Sequence, residues 1–223
     1  MDARLVIDTS LNACGLGLFD GESCLFSCHE EMTRGQQERL PVMALDAFRA
    51  TGIAPRDLTV IGVTLGPGSF TGVRVGLSFA KGLAAGAGVA LKGVGTLEAL
   101  ARHAALGGKA RMAVINGGRG QVYVQCFDAE NAHRAPATLD LAYPEEIAAF
   151  AAKNPIEVMT GPAVSLLAEY WPGMAEFPQT WPSLDALCRL TVDAGHDDLT
   201  PLYMREADAI ASTRGIISLN ESA

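Results

Sequence analysis

The chain has 223 residues, 49% of them hydrophobic, enough for one large domain or two lobes of roughly 100 residues each; a disordered chain is excluded. Seventeen basic residues against 25 acidic ones leave a formal net charge of −8, so this chain is not built to hold a nucleic-acid backbone by its own charge. Glycine is the other departure, with 24 residues against an ordinary share of about 7%, and a cluster of them runs from Gly62 to Gly95.

Apolar runs at 4–8, 14–19 and 23–29, divided by Asp8-Thr9-Ser10 and Asp20-Gly21-Glu22, predict a three-stranded antiparallel meander. Leu40, Met43, Ala44, Ala47 and Phe48 then recur at helical spacing, which predicts a helix over 36–51 stopped by Gly52. Pro41 fits that helix only within its first turn. A buried strand follows at 60–65, a sharp turn at 66–69, a second helix at 71–86, a strand at 89–94 and a third helix at 96–106 capped by Thr96. The pattern then begins again: a strand at 112–115, the turn Asn116-Gly117-Gly118-Arg119-Gly120 and a strand at 121–127. Beyond it we expect a strand at 138–143, a helix at 144–153, a strand at 156–160 and helices at 163–170 and 183–194, the last capped by Ser183. Two β-rich openings, each followed by alternating helices and strands, predict two related α/β lobes, 1–106 and 107–200, joined at Gly107-Gly108. The segment 201–223 is expected to pack back on the first lobe.

The longest run without a formal charge, 58–73, is too short and too broken by glycine to span a membrane. The first residues carry no basic segment leading into a long apolar one, so a cytoplasmic protein is expected. Five scattered cysteines suit reduced thiols, and Cys24, Cys28 and His29 lack a second ligand pair, so no metal is expected.

Three features bear on chemistry. Gly66-Pro67-Gly68-Ser69-Phe70-Thr71-Gly72 joins a strand to a helix, where backbone N–H groups can receive an anion or where the glycines only allow close packing. It is neither a Walker loop nor a dinucleotide fingerprint. In the helix that follows, Thr71, Arg74, Ser78 and Lys81 form one narrow polar stripe, flanked by Val73, Leu77, Ala80 and Ala84 on one side and Val75, Phe79 and Leu83 on the other. A helix so apolar is expected to bury two sides, one on its own sheet and one on a partner. Gly72 with Gly76, and Gly82 with Gly86, are spaced for a close helix crossing. Asp8, with Thr9 and Ser10, could contact a metal-bound phosphate as in sugar kinases, or could only receive N–H groups in its turn. The matching turn of the second lobe has Asn116 and no carboxylate.

Val6-Ile7-Asp8-Thr9-Ser10, Glu38-Arg39-Leu40, Gly66 to Gly76 and Gly95-Thr96-Leu97-Glu98-Ala99-Leu100 together resemble the TsaB (YeaZ) family, and Arg119-Gly120-Gln121-Val122-Tyr123 and Pro201-Leu202-Tyr203-Met204-Arg205 support it. The resemblance implies a two-lobed actin/Hsp70 kinase-like (ASKHA, ribonuclease H-like) α/β fold with mixed sheets flanked by helices. It implies a non-catalytic scaffold in formation of N6-threonylcarbamoyladenosine beside the anticodon of tRNAs reading codons that begin with A. The implied partners are the paralogue TsaD, which carries the metal and the transfer site, and the ATPase TsaE, with a homodimer when alone and tRNA reached only through the complex. No cofactor of its own is implied, although a nucleotide could lodge at a complex interface. The family's interface uses the first two helices, here represented by Leu40, Met43, Ala44, Ala47, Thr71, Arg74, Val75, Ser78, Phe79 and Lys81. Gly66, Pro67, Gly68, Ser69 and Gly72 are then a structural turn, and Asp8, Thr9 and Ser10 vestigial phosphate contacts. Gly35-Gln36-Gln37 replaces the histidine many members have ahead of the first helix. The alternatives are an ATP-binding phosphotransferase or glycoprotease-like peptidase of the same fold, or a stand-alone regulatory homodimer.

Overall fold

The computed structural model describes residues 1–204. Strands β1 (Ala3–Asp8), β2 (Ala13–Asp20) and β3 (Ser23–Glu31) form the expected meander, and α1 (Gln36–Thr51) follows, ended by Gly52 at φ 72°. Next come β4 (Leu58–Thr64), α2 (Phe70–Ala87), β5 (Ala90–Val94) and α3 (Thr96–Ala101). The first sheet has the order β3-β2-β1-β4-β5, with β4 and β5 parallel to β1.

A second sheet repeats that plan. It consists of β6 (Arg111–Gly118), β7 (Gln121–Phe127), β8 (Ala137–Asp140), β9 (Val158–Thr160) and β10 (Ala175–Phe177), in the order β10-β9-β6-β7-β8. Again the opening hairpins are antiparallel, and the strands on the other side of the first one are parallel to it. Helix α4 (Pro144–Lys153) supplies the crossover, and α5 (Leu184–Asp193) completes the described helices. The whole is an α/β fold of two mixed sheets flanked by helices.

Strand alternation explains the cores. Leu5, Ile7, Leu16, Leu18, Ile61 and Val63 point to one face of the first sheet, where α1 and α2 cover them. Val6 and Phe19 point to the other, and α5 covers them with Leu184, Leu187 and Leu190. The order of elements along the chain assigns α5 to the second lobe, yet it lies on the first sheet. Gly62 permits this, because a Cβ there would collide with Thr191. Residues beyond α5 continue along the same lobe: Gly93 and His196 exchange two backbone bonds of 2.9 Å, and Leu202 N–H donates to Leu65 C=O at 2.7 Å. Of the segment 201–223, residues 201–204 thus lie against the first lobe, and 205–223 fall outside the described residues.

Several local expectations change. Pro41 sits in the second turn of α1, at an exposed position, where it lacks an N–H for the Gln37 carbonyl. Helix α3 ends at Ala101, and His103 Nδ1 accepts from Ala105 N–H at 3.2 Å to start a separate 3-10 turn over Ala104–Leu106. Its N-cap is Gly95, and Thr96 Oγ1 has no hydrogen-bond partner among the described residues. The helix expected at 163–170 is two 3-10 turns, Val164–Leu166 and Ala168–Tyr170, in a stretch bounded by Pro162 and Pro172 and too short to propagate. Ser183 does cap α5, its Oγ accepting from Ala186 N–H at 3.4 Å.

The glycine pairs of α2 divide. Gly72 and Gly76 face the turn after β1, where a Cβ would strike Thr9, so this pair seats the helix on its own sheet and makes no helix crossing. Gly82 and Gly86 face open space, and a Cβ on either would have no neighbouring atom within 4 Å. Gly76→Ala should therefore cost about 1–3 kcal/mol by overpacking, whereas Gly82→Ala should gain about 0.5–1 kcal/mol from helix propensity. Urea unfolding of the two variants checks the opposite signs.

Candidate functional site

The end of β1 and the start of α2 form one unit. Asp8, Thr9 and Ser10 are fully buried. Asp8 Oδ1 accepts from Ser10 N–H at 3.1 Å, Ser10 Oγ–H at 2.6 Å and Thr64 Oγ1–H at 2.8 Å. Thr9 Oγ1–H donates to Gly72 C=O at 2.7 Å. From the other side, Ser69 N–H donates to Ser10 C=O at 2.7 Å, and a Cβ on Gly68 would strike that same carbonyl. Ser69 Oγ accepts from Gly72 N–H at 3.1 Å, and Val73 N–H donates to Ser69 C=O. Several donors that an anion would need at the start of α2 are thus already engaged. Gly66 stands at φ 96°, a left-handed conformation that favours glycine, against the carbonyl of Leu202.

One carboxylate oxygen stays outside this closure. Asp8 Oδ2 has no hydrogen-bond partner among the described residues, and neither has His29 Nε2. Register places them in one row, since Asp8 pairs with Gly15 and Gly15 with His29. Only glycine fits in the middle, because a Cβ there would lie 2.5 Å from His29 Nε2. His29 also stacks on Trp181, with ring centroids 5.4 Å apart, at a cleft of about 350 Å³ that His103 and Asp185 share. Burial pulls the His29 pKa below its usual value, and the Asp8 carboxylate opposes that shift. The sequence patterns do not link His29 to Asp8; the glycine at Gly15 in an otherwise apolar strand is the available sign.

The candidate interface residues separate by burial. Leu40, Met43, Ala44 and Ala47 on α1 are buried in the core facing the first sheet, so Met43, Ala44 and Ala47 offer nothing to a partner; Leu40 forms only the floor of a groove. The apolar side chains that α1 does expose are Val42 and Leu45, at 46% and 45%. On α2 the stripe Thr71, Arg74, Ser78 and Lys81 is exposed, Val75 and Phe79 are half-buried, and Leu77 is core. Between the helices runs a groove of about 600 Å³, walled by Phe70, Arg74, Val75 and Phe79.

Other chemistry is sparse. Among the described residues, no three metal-ligating side chains come together, and no helix is long and apolar enough to cross a membrane. Burial pushes the Cys14 thiol up to about 12 and Cys126 to about 11, opposite to what a nucleophile needs. In the second lobe's turn, Asn116 Oδ1 accepts from Gly118 N–H at 2.7 Å.

Comparison with known proteins supplies the context. Residues 30–197 match the family of TsaD, tRNA N6-adenosine threonylcarbamoyltransferase. The Escherichia coli tRNA threonylcarbamoyladenosine biosynthesis protein TsaB is 35% identical over 122 residues, 53% of this chain and 52% of that protein. The chain spans about half the length of the curated relatives it matches. A solved Pseudomonas aeruginosa protein, described as similar to the peptidase YeaZ, superposes with a TM-score of 0.76 at 26% identity, covering 92% of this chain and 100% of that one. A ROK hexokinase from Thermus thermophilus, at a TM-score of 0.50 and 14% identity over 85% of this chain and 97% of that one, shares the fold alone.

A lowered His29 pKa has a signed consequence. The neutral imidazole suits the fold, so its contribution is intact above the unfolded-state value of about 6.5 and is lost as pH falls from there through the folded value. His29→Gln should flatten the fall of stability below about pH 6.5 relative to wild type, as read from urea midpoints across the pH range.

Proposed function

The chain belongs to the TsaD family and, within it, to the TsaB (YeaZ) group, and we propose that it is a non-catalytic scaffold subunit for forming N6-threonylcarbamoyladenosine in tRNA. Its partner is a TsaD-type transferase, and the TsaE ATPase completes the set. In isolation it forms a homodimer through the same surface. It works in the cytoplasm on tRNAs that read codons beginning with A.

The observation that carries this reading is the α1–α2 face. Phe70 is exposed at the groove, Val42 and Leu45 are exposed on α1 outside the groove's lining, and the second half of α2 leaves Gly82 and Gly86 uncovered. Apolar surface gathered on two adjacent helices favours association with a similar helical face. The role is then one of binding energy: a partner whose active conformation fits this face is shifted toward that conformation by the difference in affinity. An acidic chain reaches tRNA through a more basic partner, consistent with its net charge of −8. No cofactor of its own is part of the proposal; a nucleotide at the interface with the partner is compatible with it.

The unpartnered Asp8 Oδ2 favours a second reading, a phosphotransferase of the same fold. Against it stands Asn116 in the corresponding turn of the second lobe, where such an enzyme needs another carboxylate. Reconstituted tRNA modification with this subunit omitted and then restored separates the two. Modification should depend on the subunit, and the chain alone should neither transfer threonylcarbamoyl nor hydrolyse ATP at an enzyme-like rate. Activity of the chain alone would overturn the scaffold reading.

Variants at the face give a sharper expectation. Phe79→Glu and Leu45→Glu should abolish co-elution with the TsaD partner while leaving the lobe folded, at a cost of about 1–2 kcal/mol in unfolding free energy, because both side chains stand at least partly outside the core. Leu77→Glu, in contrast, buries a charge and should unfold the lobe. Size-exclusion chromatography with parallel urea melts reads both.

A further inference from the structure

Arg74 stands in the exposed polar stripe of α2. In a chain with 25 acidic residues, no Asp or Glu pairs with it among the described residues. Its guanidinium is nevertheless held firmly. Its Nε–H donates to Tyr203 Oη at 2.8 Å, its centre lies 3.7 Å from the Phe70 ring centroid, and the two aromatic rings pack 5.1 Å apart. Phe70 and Tyr203 are both exposed, at 39% and 42%. With one edge bonded to Tyr203 and one face on Phe70, the two Nη groups make no hydrogen bond among the described residues and border the groove between α1 and α2.

Tyr203 is itself held in position by the chain that leads to it. Residues after α5 are fastened to β5 by the paired bonds of Gly93 and His196 and by Lys92 with Asp197 at 2.8 Å, then to the end of β4 by Leu202. This strap delivers the tyrosine to the first turn of α2.

We propose that Phe70, Arg74 and Tyr203 form a prearranged docking element that receives one Asp or Glu carboxylate of the protein partner, set between apolar side chains that cover the rest of the groove. The chemistry commits to that occupant. A guanidinium whose two Nη groups make no hydrogen bond among the described residues matches a carboxylate fork, and a planar cation already stacked on an aromatic ring loses little freedom on binding. Leu40, Val75 and Phe79 beside it ask for apolar neighbours around the acid. Tyr203 is a positioning residue: it fixes Arg74 and is reached only through the strap.

The inference rests on the scaffold reading, so its test carries a control for that reading. Association of the full chain with the TsaD partner is measured by titration calorimetry at low and high salt for wild type, Arg74→Gln, Arg74→Lys, Tyr203→Phe and Phe79→Glu. Arg74→Gln should weaken binding about tenfold or more at low salt, and the deficit should shrink to about threefold at about 1 M salt, where wild type loses the same ion pair. Arg74→Lys should recover part of the loss, and Tyr203→Phe should weaken binding about threefold with the same salt signature. These are exposed side chains, and unchanged urea midpoints confirm that the fold is intact. If Arg74→Gln and Tyr203→Phe bind within about twofold of wild type while Phe79→Glu abolishes binding, the docking element is wrong and the scaffold face stands. A loss in Arg74→Gln that is the same at both salt concentrations also overturns it. If Phe79→Glu binds like wild type, the scaffold reading falls and this inference with it.

Discussion

The first lobe depends on the mutual closure of two turns. Asp8-Thr9-Ser10 leaves β1 with its polar groups buried, and the Gly66–Gly72 turn arrives with a backbone donor and a backbone acceptor for two of them. Each turn is the hydrogen-bond partner of the other: the Ser10 carbonyl takes Ser69 N–H, and the Gly72 carbonyl takes the Thr9 hydroxyl. Neither could be buried alone without unsatisfied polar groups. Glycine at Gly68, Gly72 and Gly76 is what permits the approach, because a side chain at any of them would strike the β1 turn. The same approach fixes how α2 lies on the sheet, and hence which of its faces is presented outward.

That outward face shows how structural and functional demands share one helix. Val73, Leu77, Ala80 and Ala84 close the core, and the polar stripe from Thr71 to Lys81 stays in solvent. Val75 and Phe79 stand between the two, half covered, beside a groove that α1 completes. A helix in this position cannot be remodelled freely on its outer side, since a shift of its axis would reopen the buried polar closure on the inner side.

Much of this architecture is legible in the residues, and the exceptions are instructive. Period-two runs and Gly52 locate the meander and α1, because strand alternation and a left-handed helix stop are local properties. The glycine cluster is visible too, but whether it cradles an anion or another turn depends on Ser10, more than fifty positions away in the chain. Periodicity cannot say which apolar positions of α1 face inward: it selects Leu40, Met43, Ala44 and Ala47, which the sheet consumes, and passes over Val42 and Leu45. Strand β10 escapes because three residues, Ala-Glu-Phe, carry no pattern. The lateral row of Asp8, Gly15 and His29 is a property of strand register and is invisible one strand at a time.

The placement of α5 on the first sheet has a mechanical meaning. The chain leaves the first lobe after α3, builds the second sheet, and returns through α5, so the second lobe is inserted within the first and is tethered to it by two covalent crossings. At one crossing, buried Arg111 ties the α3 carbonyl of Ala101 at 2.5 Å to that of Lys109 at 2.8 Å; at the other, Gln179 bonds Leu100 C=O at 2.9 Å and Thr160 Oγ1 at 2.6 Å. Between these crossings α3 turns Ala99 to the core of the first sheet and Leu97, Leu100 and Ala101 to Ala113, Ile115, Tyr123 and Phe127 of the second. One short helix is thus the mortar between the two sheets, and parting them there would put buried apolar surface into water.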